Sequence, residues 1–209
     1  FGGADGGAEI HHGLRVVTAA ARRRQAFREA ADDGLGGRQR VFHGIEPRDH
    51  AFHVAVDRRG AAVECGRVDV CDAEAMRKWL NAFDDTHPID LLIANAGVAS
   101  TLVHADDWEE LERTTVVIDT NLYGALHAVL PVIARMRARR RGHVAMVSSL
   151  AALRGMAISP AYCASKAAIK AYGDSVRPVL GRDGIRMSIV LPGFVKTAMS
   201  DVFPGDKPF

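Results

Sequence analysis

Leu91-Leu92-Ile93-Ala94-Asn95-Ala96-Gly97 is the stretch on which the fold turns. Four apolar residues without polar alternation follow the break at Pro88-Ile89-Asp90 and run into Asn95 and Gly97. Such a run suits a strand buried on both faces. Two similar runs follow, at 144–147, ending in Ser148-Ser149, and at 186–191, broken by Pro192-Gly193. The segments between them read as helices. One covers 73–83, with Asp72 as N-cap. Others cover 106–115 and 121–140, the latter carrying Pro131. A last one starts at Pro160 or Ala161, runs toward Leu180 and is closed by 181–184. Strand and helix alternate, which predicts an α/β domain with a doubly wound parallel β-sheet sandwiched by helices.

Upstream the pattern loosens. Residues 61–68 read as a strand leading into Asp69-Val70, 14–19 as another, and 22–33 as a helix. Residues 34–59 carry Gly34, Gly36, Gly37, Gly44 and Pro47 without a clear period, and 50–56 reads as a short helix. No internal repeat or second domain emerges. The expectation is a single domain over 1–209, with 1–60 atypical and 61–205 regular.

Composition narrows the function classes. A hydrophobic share of 48% and a charged share of 25% are those of a globular domain, not a disordered tail or a disulfide-stapled miniprotein. Lys+Arg 27 against Asp+Glu 25 gives +2, too little to steer the chain to nucleic acid or an anionic membrane. No uncharged run reaches the length of a membrane span. The basic run at 135–141 reads as a solvated helix end, with no aromatic platform for bases. The three cysteines lack paired spacing and the nine histidines form no zinc pattern, so a reduced, cytoplasmic compartment and no metal are expected.

The chemistry concentrates at Tyr162-Cys163-Ala164-Ser165-Lys166. On a helix, Tyr162 and Lys166 share a face one turn apart. A phenol with a pKa of about 10 is a poor acid–base group near neutrality, and a neighbouring ammonium favours its ionised form. Ser149 ends a strand, where doubly wound sheets meet ligands, and its hydroxyl can bond a substrate oxygen. Asn121, early in the long helix, can tie the lysine to backbone or water. Alone, a Tyr-x-x-x-Lys pair is more often a surface lysine beside a half-buried tyrosine.

Taken in order, these residues resemble the short-chain dehydrogenase/reductase family, a Rossmann-fold group of NAD(P)-dependent enzymes. Asn121, Ser149, Tyr162 and Lys166 match its catalytic tetrad, with the serine thirteen residues before the tyrosine. Asn95-Ala96-Gly97 resembles its sheet-stabilising Asn-Ala-Gly segment, and Asp69-Val70 its acidic position near the adenine. Pro192-Gly193-Phe194-Val195-Lys196-Thr197 resembles the loop at the nicotinamide end of the cofactor.

The resemblance implies an oxidoreductase moving a hydride between a nicotinamide cofactor and a carbonyl or secondary alcohol. Tyr162 would be the general acid or base, and Ser149 would orient the reacting oxygen. Lys166 would lower the tyrosine's pKa and hold the ribose. Asn121 would keep a proton-relay water, and Thr197 would bond the carboxamide. A small-molecule substrate and a homodimer or homotetramer built on the long helices are implied as well.

The N-terminal part departs from the family pattern. Gly2 and Gly6 keep two positions of the Gly-rich pyrophosphate loop, but Ala8 stands at the third. The stretch reads equally as a displaced remnant or as flexible terminal sequence. No strand precedes it, so 14–19 falls to the family's second strand, and the chain is expected to be incomplete at both ends. Arg22 and Arg23 after that strand, with no acidic residue, favour NADP, with NAD as the alternative. A catalytically inactive member serving as a binding or structural protein is the other function that fits.

Overall fold

A computed structural model of the chain describes residues 15–19, 52–56, 65–66, 68–102 and 107–195, the first three segments as backbone strands. A six-stranded sheet is formed by β1 (Arg15–Ala19), β2 (Phe52–Val56), β3 (Cys65–Gly66), β4 (Leu91–Ala94), β5 (Gly142–Val147) and β6 (Ile185–Val190), in the order β3-β2-β1-β4-β5-β6. Strands β1, β4, β5 and β6 are parallel, with Val17 opposite Leu92 and Leu92 opposite Val144. Strands β2 and β3 join antiparallel on the β1 side, as edge strands of otherwise parallel sheets often do. The α/β architecture with helices flanking a parallel sheet is therefore as the sequence pattern predicts.

Two upstream expectations change. Residues 50–56 were expected to be helical, yet Phe52–Val56 is a strand; the apolar residues at Phe52, Val54 and Val56 have the period of two that a strand requires. The strand read at 14–19 does not take second place behind a missing one. Arg15–Ala19 stands beside β4 in the middle of the sheet, the place of the first strand in a 3-2-1-4-5-6 order. Gly2 and Gly6 precede that strand in the chain, whereas a pyrophosphate loop follows it. The strand read at 61–68 is described only at Cys65–Gly66.

Helix α1 (Ala73–Thr86) begins where Asp72 accepts the Ala75 N–H at 2.9 Å. It buries Met76, Leu80 and Phe83 along one stripe. Helix α2 (Leu111–Ile118) continues through a π-helical turn, Asp119–Tyr123, into α3 (Gly124–Arg139), so the two helices read separately form one run. A Cβ at Gly124 would lie 2.8 Å from Val70 Cγ2, so the close packing of α3 on that turn needs glycine. The run Leu111–Arg139 is by length and composition apolar enough to cross a membrane. Its Ala128, Val129, Val132 and Met136 are buried in the core. Helix α4 (Pro160–Arg182) packs along β5 and β6 through Ile169 and Leu180.

The basic run is more than a solvated helix end. Buried Asp84 accepts from Arg135 Nε at 2.6 Å, Arg139 Nη1 at 2.8 Å and the Ile89 N–H at 2.7 Å. Burial alone would raise its pKa, but hydrogen bonds from Arg139, Ile89 and Arg135 outweigh that and hold the carboxyl below its ordinary value. A depressed carboxyl pKa contributes stability above the unfolded value of 3.8 that is lost as pH falls through the folded one. Asp84→Asn should therefore cost on the order of 3 kcal/mol at neutral pH. In urea denaturation across pH, the gap to the parent chain should close below 3.8; a constant gap contradicts the assignment.

Candidate active site

The strand order reverses between β1 and β4, and open α/β sheets bind ligands at the carboxyl ends of strands at such a reversal. Asn95, Ala96 and Gly97 lie there, at the end of β4. Asn95 is exposed, Ala96 is buried, and a Cβ on Gly97 would meet Lys166 Nζ at 3.2 Å and Asn121 Oδ1 at 3.3 Å. The glycine thus leaves the room in which two predicted site residues approach β4.

Asn121, fully buried, sits in the π-helical turn, a helix irregularity frequent at functional sites. Its Oδ1 accepts the Val98 N–H at 2.7 Å, and its Nδ2 donates to Val98 O and to Ser165 Oγ, each at 2.9 Å. Ser165 Oγ donates in turn to Tyr162 O at 2.8 Å. One amide so joins the β4 loop to the turn of α4 that bears the tyrosine.

Lys166 is 4% exposed, and its Nζ donates to Val147 O at 3.0 Å. Burial lowers its pKa to about 8. Among the described residues no carboxylate forms an ion pair with it. Its Nζ lies 5.7 Å from the centroid of the Tyr162 ring. Ser148 Oγ donates to Lys166 O at 2.7 Å and fixes the end of β5 to the same turn.

Ser149 follows β5 and opens a short 3-10 turn, Leu150–Ala152, by accepting the Ala151 N–H at 3.1 Å. Burial pushes the Tyr162 phenol above its ordinary value, while a hydrogen bond with Ser149 pulls it back. The expected lowering of this pKa by Lys166 is not the outcome here: desolvation of the half-buried phenol prevails.

The remaining predicted positions divide. Asp69 Oδ1 accepts the Cys71 N–H at 2.9 Å and stabilises its own turn, and Val70 is buried with its carbonyl bonded to His127. Pro192 O accepts the Leu150 N–H at 3.0 Å, holding the segment after β6 beside Ser149. Gly193 and Val195 are exposed next to it. Gly2, Gly6, Arg22, Arg23 and Thr197 lie outside the described residues. Ser148, Ser165 and the Val98 backbone complete the arrangement without having been singled out in the sequence. A serine beside each named residue, Ser148 before Ser149 and Ser165 before Lys166, was the available signal.

The sequence model of the short chain dehydrogenase family matches residues 39–207, well over half of the chain. The chain belongs to the short chain dehydrogenase family. It is 36% identical over 165 residues to an uncharacterized oxidoreductase of Myxococcus xanthus, covering 78% of this chain and 64% of that one. It is 35% identical to retinol dehydrogenase 8 of Bos taurus, over 66% of this chain and 43% of the relative. The chain thus spans between about two fifths and two thirds of the length of these curated relatives. Among solved structures, an oxidoreductase of the family from Burkholderia thailandensis is 34% identical, with a TM-score of 0.56 over 65% of this chain and 51% of that one. ElxO with NADP bound has a TM-score of 0.61 at 23% identity over 65% and 55%, a likeness of fold. The family match starts beyond Gly2, Gly6, Arg22 and Arg23.

A buried ammonium with no carboxylate partner among the described residues weakens the fold. The unfolded lysine titrates at 10.5 and the folded one at about 8, so the unfolded state holds more protons between them and stability rises with pH there. Lys166→Met should raise unfolding free energy by roughly 2 kcal/mol at neutral pH, after the lost bond to Val147 is counted. That gain should shrink as pH climbs from about 8 toward 10.5; destabilisation at neutral pH would refute the burial cost.

Proposed function

We propose that this short chain dehydrogenase transfers a hydride between a nicotinamide cofactor, NADPH ahead of NADH, and a carbonyl or secondary alcohol of a small molecule. The observation that carries the reading is the buried, carboxylate-free Lys166 beside Tyr162 at the reversal of the strand order. Perturbed groups of this kind gather at functional sites. The buried Lys166 cation, close against Gly97, suits a cofactor's ribose and nicotinamide end. Lys166, the Asn95-Ala96-Gly97 backbone and the segment with Pro192, Gly193, Val195 and Thr197 would hold that end. When bound, the cofactor supplies or accepts the hydride.

Tyr162, kept protonated by burial, donates a proton from its hydroxyl as a carbonyl is reduced and takes one back in the reverse direction. Ser149 orients the reacting oxygen with its hydroxyl. Asn121 holds the β4 loop and α4 in register. ElxO with NADP bound, and a single-substitution variant of ElxO with NADPH bound, support NADPH. The arginines at 22 and 23 follow the central strand and not a second one, so the ground for reading them as an NADP signal lapses. Exposed Tyr123, Leu130 and Val179 on the long helices support a homodimer or homotetramer, and free Cys71 and Cys163 suit the cytoplasm.

A non-catalytic role is the second reading, favoured by Gly2 and Gly6 preceding β1 and by a family match that begins at residue 39. NADPH oxidation with acetophenone and ethyl acetoacetate as carbonyl probes separates the two. Hydride transfer predicts saturable turnover, lowered at least about a hundredfold in Tyr162→Phe with NADPH binding retained. Turnover that survives Tyr162→Phe excludes the mechanism, and no NADPH binding by the parent chain favours the second reading.

A further inference from the structure

Helix α4 lacks a cap of its own. Ser159 precedes it but makes no side-chain bond to its first turn; its hydroxyl donates to Ser100 O instead. Pro160, the first residue, has no N–H to cap. The first N–H of the helix belongs to Ala161, which is 4% exposed, so an unpaired donor there would be costly.

The partner comes from a distant loop. Glu109, ahead of α2, accepts the Ala161 N–H through Oε2 at 2.8 Å and the Ser100 hydroxyl through Oε1. A carboxylate here also faces the positive end of α4. The same loop after β4 is bound at Val98 by Asn121 and at Leu102, whose N–H donates to Ile158 O at 2.8 Å. Tyr162 therefore sits between two external holds. Its preceding N–H is held by Glu109, and its own carbonyl by Ser165 and, through it, Asn121.

We infer that Glu109 is a positioning residue for Tyr162, capping α4 from outside and fixing where the phenol enters the site. Its bearing on turnover rests on the hydride-transfer reading above. Glu109 acts through the backbone: the groups that set the proton affinity of the phenol are burial, Ser149 and Cys163. Loosening the first turn would let water reach the ring and return the phenol toward its ordinary value.

The test compares the full chain with Glu109→Ala, Glu109→Gln and Glu109→Asp. The titration of Tyr162 is read from ultraviolet difference spectra against Tyr162→Phe, and kcat and KM from NADPH oxidation with acetophenone. Glu109→Ala should move the phenol midpoint down toward 10.0. It should also cut kcat about ten- to a hundredfold with little change in the KM for NADPH. Glu109→Gln, which keeps an acceptor of the same reach, should behave as the parent chain, and the shorter Glu109→Asp should not. An unchanged midpoint and kcat in Glu109→Ala overturn the inference. Should that variant fail to fold, the Gln and Asp variants decide: parent-like titration in both overturns it, and a shift in Asp alone supports it. If the parent chain turns over no probe while the midpoint still shifts in Glu109→Ala, hydride transfer fails and the positioning role stands.

Discussion

A primary amide offers two N–H donors and an acceptor oxygen, and burying it is favourable only when each is met. Asn121 meets this condition by taking both the N–H and the C=O of Val98 and reaching Ser165 with the same nitrogen. The constraint propagates from there. The loop after β4 cannot move without breaking a pair of bonds, and α4 cannot turn about its axis without dragging Ser165 and the Tyr162 carbonyl with it. Gly97 lies in the same place because a side chain there would press on the amide and on Lys166. The π-helical turn, awkward as helix geometry, is where the amide comes from.

Two buried charged groups show how differently the chain treats structure and site. Asp84 is buried with two arginines and a backbone N–H around it, so its desolvation is offset and its carboxyl stays ionised. Lys166 is buried with, among the described residues, the Val147 carbonyl as its acceptor and no carboxylate, and its ammonium is correspondingly weakened. A fold selected for stability alone would pair that cation or replace it. An ammonium without a carboxylate among the described residues, beside a desolvated phenol, is a perturbed pair of the kind that gathers at functional sites.

Most of the parallel sheet was legible because its strands are buried on both faces and leave unbroken apolar runs, as at 91–94 and 144–147. The start of α1 was legible because Asp72 is a cap with a local mechanism. Phe52–Val56 was missed because its histidine and small residues blur a run of only five. The join of α2 to α3 was hidden because a π-helical turn leaves no composition signature. In the site, Tyr162 and Lys166 were readable from helical spacing alone. The direction of the tyrosine's pKa was not, since it depends on how much water the surrounding loops exclude. Ser100, Glu109 and Ser165 were equally silent: each acts across the chain, and neither spacing nor residue type says which N–H or hydroxyl it will meet.

The account depends on Asn121 and Ser165 acting as one connection between the β4 loop and α4. A double-mutant cycle of Asn121→Ala and Ser165→Ala, read by urea denaturation, tests this most directly. The account predicts a coupling of about 1 kcal/mol or more, because either single change already breaks the shared bond. Additive losses within about 0.5 kcal/mol would contradict it and leave the two residues as independent parts of the core.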